Sequence, residues 1–361
     1  MNNGKERKSI AFYCIGNKIT PSTRFRVLQY LPFFEREGIR VKVFTLPCFG
    51  GSKIAEWLEI FLQGLVRRWQ LRHVHEFDGI IIQKGLTPWR ARGLAKTFLA
   101  AGKPFILDID DAVFLKVYSV QFPALLRCLQ DAQEPLKLMR TAAHIIAGNS
   151  YLAQNAASHN PACTVIPTVI DTGKYQPGPS HSNSRLVIGW SGSTGTNIYV
   201  NEILPILEAL AEKHAFDFHV MSSSLRGIRF GEKKKYGFRF LKWSEEAEVE
   251  SLRTFDIGVM PLADDAWSRG KCGSKALLYM AMGIPPVCSP VGVNTEIIRD
   301  GENGFLASSP AQWIEKIRLL LENSELRRKM GQEARRTVEE KYSVQSQFPV
   351  LKRTLERVCY G

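Results

Sequence analysis

Nowhere in the 361-residue chain does an apolar run approach the ~20 residues that a membrane-spanning helix requires. Nor do its seven cysteines, at positions 14, 48, 128, 163, 272, 288 and 359, form a Cys-x-x-Cys pair. The first absence excludes a helical integral membrane protein. The second, with the odd count, argues against a secreted disulfide framework and a thiolate zinc site, and points to a reducing cytosol. The start, MNNGKERKSIAFYCIG, is basic and then apolar in the manner of a secretory leader. Its apolar run is only about seven residues and leads into polar Gly16-Asn17-Lys18, so it reads as a first β-strand. Acidic residues are also scarce: 35 Asp and Glu stand against 48 Lys and Arg, a formal charge of +13. Such an excess suits a polyanion, whether nucleic acid, an anionic membrane or a phosphorylated substrate. Residues 1–180 hold 23 basic and 13 acidic side chains, and the remainder 25 and 22, so the excess lies in the first half.

What is present is ordinary globular composition, 45% apolar and 23% charged, in a chain long enough for two domains of ~150 residues. Short β-branched runs alternate with longer amphipathic segments, the pattern of parallel sheets with crossover helices. Strands are expected at Ser9–Ile15, Val41–Leu46, Gly79–Gln83, Pro104–Asp108, His144–Ala147 and Thr164–Ile166. A Pro, Gly and Ser-rich stretch at 176–184 then reads as a linker. A second series follows at Leu186–Trp190, Phe216–Met221, Phe238–Trp243, Asp256–Pro261, Pro286–Ser289 and Gly304–Ala307. Ser309, Pro310 and Gln312 spell a helix start with an N-cap, an initial proline and a capping-box partner. Val344, Phe348, Leu351, Leu355 and Val358 recur at helical spacing in the tail. The expected division is a first domain over 1–178, a second over 179–342 and a C-terminal helix over 343–361.

Two segments of the second half carry candidate chemistry. The turn Gly189-Trp190-Ser191-Gly192-Ser193-Thr194-Gly195-Thr196 feeds a helical stretch from Asn197. Small residues at a helix start offer backbone N–H groups and the positive end of the helix dipole to a phosphate, although a ligand-free βα turn has the same look. The segment Gly270-Lys271-Cys272-Gly273-Ser274-Lys275 precedes the apolar run from Ala276 to Gly283. If the helix begins early enough, Lys271 and Lys275 share one face at its N-terminus, an unfavourable arrangement unless an anion sits between them. A solvated surface pair is the alternative. Both segments follow strands of one sheet and should open at its carboxyl edge, where α/β sheets bind ligands.

The stretch from Gly258 to Leu306, GVMPLADDAWSRGKCGSKALLYMAMGIPPVCSPVGVNTEIIRDGENGFL, closely resembles the donor-binding region of glycosyltransferase family 4, a GT-B family. Ser22-Thr23-Arg24-Phe25-Arg26, Leu107-Asp108-Ile109-Asp110-Asp111, Gly148-Asn149-Ser150-Tyr151-Leu152 and Val165–Asp171 agree in order, so the resemblance covers about residues 8 to 342. It implies an α/β chain of two facing Rossmann-like domains with parallel sheets, the acceptor mainly on the first and a nucleotide diphosphate sugar mainly on the second. The C-terminal helix would cross back to the first domain. Sugar transfer with retention of configuration is implied, with no cofactor and no metal. Gly192 and Ser193, flanked by Ser191 and Thr194, would meet the diphosphate. Lys271 and Lys275 would neutralise the leaving group, the task a metal performs elsewhere. The chain departs from the family at one point: its two glutamates fall here on Gly270 and Leu278, so ribose and sugar recognition pass to other groups, for which Asp264, Asp265 and Glu296 are candidates.

In the first half, Arg24 suits bidentate contact to a diphosphate or acceptor phosphate, against the alternative of a surface arginine. Asp108, Asp110 and Asp111 end a strand at the same edge. Asp110 is the leading candidate for acceptor or sugar contact, and Asp111 is read as substrate contact or helix N-cap. Without nearby histidine or further carboxylate, a metal is disfavoured. Along Ala55–His75, Trp57, Leu58, Phe61, Leu65 and Trp69 with Arg67, Arg68 and Arg72 fit either a crossover helix that buries its apolar stripe with the arginines outward, or a helix lying on an anionic bilayer. His73 and His75 would point to opposite sides, while His144, His214 and His219 are read as packing residues.

These features point to a cytoplasmic, peripherally membrane-associated enzyme of polysaccharide biosynthesis that glycosylates a glycan or lipid-linked glycan. The rivals are a nucleotide-sugar epimerase of the same fold and a non-catalytic protein that binds anionic surfaces. No nucleic-acid partner is expected, since the first-half excess falls where a phosphate-bearing lipid acceptor would sit.

Overall fold

The structure is a computed structural model that describes residues 8–48, 53–88, 93–115, 133–178, 185–231 and 234–359. The side chains of 53–57, Trp57 included, lie outside that set, as do Cys128 and the last six residues of the expected linker, 179–184. The chain divides into two units, 1–168 with 347–361, and 169–346. Among the described residues no helix is long and apolar enough to cross a membrane.

The first unit holds a six-stranded parallel sheet: β1 (Ser9–Cys14), β2 (Arg40–Phe44), β3 (Gly79–Gln83), β4 (Ile106–Ile109), β5 (His144–Ala147) and β6 (Cys163–Val165), in the order β2-β1-β3-β4-β5-β6. β1, β3, β4 and β5 are buried along their whole length. Covered on both faces, such strands read as continuous Ile, Val and Leu runs. The second unit holds β7 (Leu186–Ser191), β8 (Phe216–Ser222), β9 (Gly237–Lys242), β10 (Ile257–Met260), β11 (Pro286–Cys288) and β12 (Phe305–Leu306), also all parallel, in the order β12-β11-β10-β7-β8-β9. Taken within the unit this is the doubly wound order 3-2-1-4-5-6. All twelve expected strands are present, and each bound moves by two residues at most.

The helix Pro310–Glu322 starts as expected: Ser309 accepts from the Gln312 N–H. The Gln312 side chain reaches back one residue further than a capping box would, taking the Ser308 N–H at 2.9 Å. His144 and His219 are packing residues, hydrogen-bonded to Thr164 at 2.9 Å and Thr254 at 3.2 Å. Burial holds both imidazoles below their ordinary pKa.

Two expectations change. The first concerns the boundary, which falls after Thr168 and not at 178. Residues 172–175 are held by the second unit: Arg335 donates to the Thr172 carbonyl at 2.9 Å, and the Tyr175 hydroxyl donates to Glu248 at 2.6 Å. The second concerns the helix Lys53–Gln70, whose apolar stripe faces outward while Gln63, Arg67 and Gln70 turn into the core. Arg67 is therefore inside the first unit, not on its surface.

The last helix, Val344–Cys359, packs in the first unit from Gln347 onward. Its Phe348 ring lies 5.1 Å from Phe34, 5.5 Å from Phe33 and 6.3 Å from Tyr30, and Lys352 pairs with Glu37 at 2.6 Å. Replacing a buried phenylalanine by alanine costs ~3–5 kcal/mol. Phe348→Ala is expected to lower the urea unfolding midpoint of the first unit by a corresponding amount, whereas Lys352→Ala, at an exposed pair, should change it little.

Candidate functional site

In a doubly wound sheet the ligand crevice opens where the strand order reverses. In the second unit that point lies between β7 and β10, and both candidate phosphate segments leave from it. After β7, Ser193 leads into a 3-10 helix over Thr194–Tyr199 that continues as the α-helix Val200–Leu210. After β10, a short helix, Ala266–Arg269, precedes Lys271, and Gly273, left-handed at φ 67°, opens the helix Ser274–Ala281.

Tyr279 joins the two segments. Its hydroxyl accepts the Ser191 N–H at 2.8 Å and lies 3.4 Å from the Val259 carbonyl. Burial pushes this hydroxyl well above its ordinary pKa, so it stays protonated. The ring sits directly on β10: a Cβ at Gly258 would come within 2.3 Å of it. Lys275, in the first turn of the same helix, carries its ammonium 5.5 Å from the centre of the buried Trp190 ring at the end of β7. Lys271 lies before the helix, with its ammonium 4.9 Å from the Trp267 ring. The two lysines therefore do not share a helix face, because Gly273 turns the chain between them.

The turn after β7 is more internally committed than its composition implies. The Ser191 N–H is taken by Tyr279, and the Gly192 N–H donates to the Met221 carbonyl at 3.0 Å. Gly192 is required by packing as well, since a Cβ there would lie 2.4 Å from the Trp190 ring. Thr194 Oγ1 bonds to the Ser223 and Ser224 hydroxyls at 2.7 and 3.1 Å. Buried Asn197 fixes the facing loop, donating to the Ser224 and Arg226 carbonyls at 2.7 and 2.9 Å. The donors that open the 3-10 helix are what this turn can offer an anion.

The carboxylate candidates separate. Asp264 forms a two-pronged pair with Arg269, at 2.7 and 3.0 Å, and that bond holds its carboxyl below the ordinary range. Asp265 caps the helix Ala266–Arg269, accepting from the Ser268 N–H at 2.7 Å. Glu296 is exposed on the short helix Asn294–Ile297. Gly270 ends the helix Ala266–Arg269, and Leu278 is buried.

In the first unit, Arg24 and Arg26 lie in the helix Pro21–Arg26 and both are buried, so Arg24 is not a surface arginine. Arg24 stacks on Phe25 with 5.0 Å between guanidinium and ring centre. Arg26 grips Asp108 through Nε at 2.8 Å and donates to the Ile166 carbonyl at 3.0 Å. Lys84, at φ 65° directly after β3, meets Asp110 at 3.2 Å and Asp111 at 2.5 Å. Burial works against its charge, but the two aspartates outweigh burial and raise its pKa. The mutual repulsion of the three aspartates is thus offset by two cations. Asp111 pairs with Lys84, and no helix begins at it among the described residues. Lys84 and Tyr279 escaped sequence reading. Lys84 had a signal in its position at the end of a strand on the same edge, while Tyr279 had none.

Residues 234–337 match the family described as glycosyl transferases group 1. A 69-residue stretch is 38% identical to the spore coat protein SA of Bacillus subtilis strain 168, covering 18% of this chain and only 18% of that protein's length. Whole-chain likeness appears in solved structures. Sucrose-phosphate synthase from Thermosynechococcus elongatus aligns over 97% of this chain and 100% of its own, at TM-score 0.69 and 12% identity. Anabaena HepE, solved with UDP and glucose, aligns over 97% and 100%, at 0.66 and 16%. The catalytic domain of starch synthase IV from Arabidopsis thaliana, bound to ADP and acarbose, aligns over 98% and 100%, at 0.70 and 10%. The fold class is GT-B, two Rossmann-like parallel-sheet units. With the family match, it supports the group 1 glycosyltransferases; nothing narrows this to family 4.

Removing the Tyr279 hydroxyl leaves the buried Ser191 N–H without its acceptor, at a cost of ~1–3 kcal/mol. Tyr279→Phe is accordingly expected to lower unfolding free energy by that amount in urea titration. A loss below ~0.5 kcal/mol would mean that the hydroxyl does not hold the strand end.

Proposed function

We propose that the protein is a retaining glycosyltransferase that moves a sugar from a nucleotide diphosphate sugar to a glycan or lipid-linked glycan, without a metal. The observation that carries this reading is the convergence at the β7/β10 switch point of the Ser193–Thr194 helix opening and Lys275, held by the Tyr279 bond to Ser191. The group 1 match and the UDP and ADP named for HepE and starch synthase IV support a nucleoside diphosphate as the ligand of that place.

In this reaction the bond between the sugar's anomeric carbon and the diphosphate oxygen breaks, and its electron pair leaves with the diphosphate. The acceptor oxygen bonds to the same face of that carbon, and its proton passes to the departing phosphate. No enzymic nucleophile is needed, consistent with the lack of a Ser/His/Asp or Cys/His constellation in the sequence. Lys271 and Lys275 supply the positive charge that stabilises the leaving group. Asp264 pairs with Arg269 and Asp265 caps the Ser268 amide, and in this reading the exposed Glu296 serves donor hydroxyls. Arg24 and Asp110 serve the acceptor or its phosphate in this reading.

Thermal-shift measurements against UDP-, GDP-, dTDP- and CMP-sugars are expected to show stabilisation by one nucleotide class, and its loss in Lys275→Ala. Turnover of that variant should fall by ~10²- to 10³-fold, the effect of removing one preorganised charge-stabilising donor, and EDTA should leave the wild-type rate unchanged. If no nucleotide sugar shifts the wild-type protein, the proposal fails. Isomerised sugar formed equally with and without acceptor would instead identify an epimerase.

A further inference from the structure

The helix Lys53–Gln70 is amphipathic in the opposite sense to an ordinary crossover helix. Its inward face is polar. Arg67 is 0% exposed and donates to the Leu86 carbonyl at 2.7 Å, the Gln70 side chain at 2.8 Å and the Cys14 carbonyl at 2.6 Å, with the Tyr13 ring 5.4 Å from its guanidinium. Burial lowers the Arg67 pKa to about 10, still far above neutrality, so the cation persists. Gln63 and Gln70 donate to the Pro47 and Thr45 carbonyls at 2.9 and 2.8 Å. The outward face is apolar: Leu58 is 53% exposed, Phe61 64%, Leu65 48% and Trp69 56%. Steps of three and four residues place these side chains on one stripe. Of the seven large exposed hydrophobics among the described residues, these four alone form a row.

The inward bonds prevent the helix from rolling to bury that row, because rotation would strand the buried Arg67 charge and several buried carbonyls. The apolar face therefore needs an external partner. Charge selects which. Arg68 and Arg72 are exposed beside the stripe, and Glu59, near its start, accepts from the Gln63 side chain at 2.9 Å. Residues 1–180 carry 23 basic against 13 acidic side chains. A second copy of the chain, docked symmetrically, would bring these arginines against their own counterparts.

We propose that this face docks on an anionic lipid bilayer. The helix lies in the headgroup plane, with Phe61, Leu65 and Trp69 at the acyl boundary and Arg68 and Arg72 on lipid phosphates. The inference rests on the first unit alone and stands or falls apart from nucleotide-sugar binding, which belongs to the second.

Flotation of the full chain with phosphatidylcholine vesicles, and with vesicles that also contain phosphatidylglycerol, tests it. Binding is expected only with the anionic lipid and should weaken in high salt. The double variant Phe61→Ser/Trp69→Ser should lose at least about tenfold in bound fraction with an unchanged thermal midpoint, since both side chains are exposed. Arg68→Gln/Arg72→Gln should lose about twentyfold on anionic vesicles. Equal flotation on both lipids, or wild-type binding by either double variant, overturns the proposal. It is also overturned if sedimentation shows a dimer that Phe61→Ser/Trp69→Ser dissociates while neither form binds vesicles, because the stripe would then be covered by a second copy.

Discussion

The hydrogen bond from the Ser191 amide to the Tyr279 hydroxyl is the constraint on which the candidate site depends. It links the end of the strand that starts the second sheet to the helix that follows the fourth. Because Tyr279 sits in the same helix as Lys275, the bond sets where that ammonium stands relative to the turn after β7. Its geometry reaches into the strands as well. Gly258 has no side chain because the Tyr279 ring occupies that space, and Gly192 has none because Trp190 occupies the next. A row of small residues that looks like a nucleotide-binding loop is therefore also the packing solution for two large aromatic rings. The chemical reading and the packing reading are satisfied by the same atoms.

Charge must be apportioned before it is interpreted. Among the basic residues of the first unit, Arg26 is paired with buried Asp108, Lys84 with Asp110 and Asp111, and Arg67 with backbone carbonyls. These cations hold strand ends together, and little of their field reaches solvent. The bulk excess of +13 thus overstates what the surface presents to a polyanion. A surface that recruits an anion needs exposed positive groups with an apolar or donor-rich neighbour, a condition met locally by Arg68 and Arg72 beside the stripe on Lys53–Gln70.

The central strands β1, β3, β4 and β5 are legible to within two residues because a parallel strand covered on both faces must be continuously apolar. By contrast β2 and β9, half-buried at the sheet edges, are marked by β-branched or aromatic residues alternating with charged ones. Periodicity was less informative about orientation. The spacing of Leu58, Phe61, Leu65 and Trp69 fixes a stripe, but which side of a helix meets the core depends on partners distant in sequence. Here the deciding partners are the carbonyls of Cys14, Thr45, Pro47 and Leu86. Lys271 and Lys275 lie on either side of a helix start, and a shared face would depend on where that helix begins, which the left-handed Gly273 sets after Lys271. The domain boundary was displaced for a similar reason. A Pro and Gly-rich stretch marks where a chain can turn, whereas the boundary is set by side chains such as Arg335 that hold residues 172–175.

Gly270 and Leu278, the positions where the family that the sequence resembles carries glutamates, have a physical context. Leu278 is buried within the helix that carries Tyr279 and Lys275, flanked by buried Leu277 and Met280. A carboxylate there without a ligand would be a charge in an apolar setting, costing several kcal/mol unless paired. Leucine at this position is compatible with the buried face of the helix that positions Tyr279 and supports the strand-to-helix tie. Under the proposed activity, donor hydroxyls must then be met from a different element. The helix Asn294–Ile297 is suited to the task, because Asn294 anchors it to the Ser289 carbonyl at 3.0 Å and Glu296 on it is exposed. An anchored helix with an exposed carboxylate can recognise a hydroxyl without the folded protein bearing the cost of a buried charge.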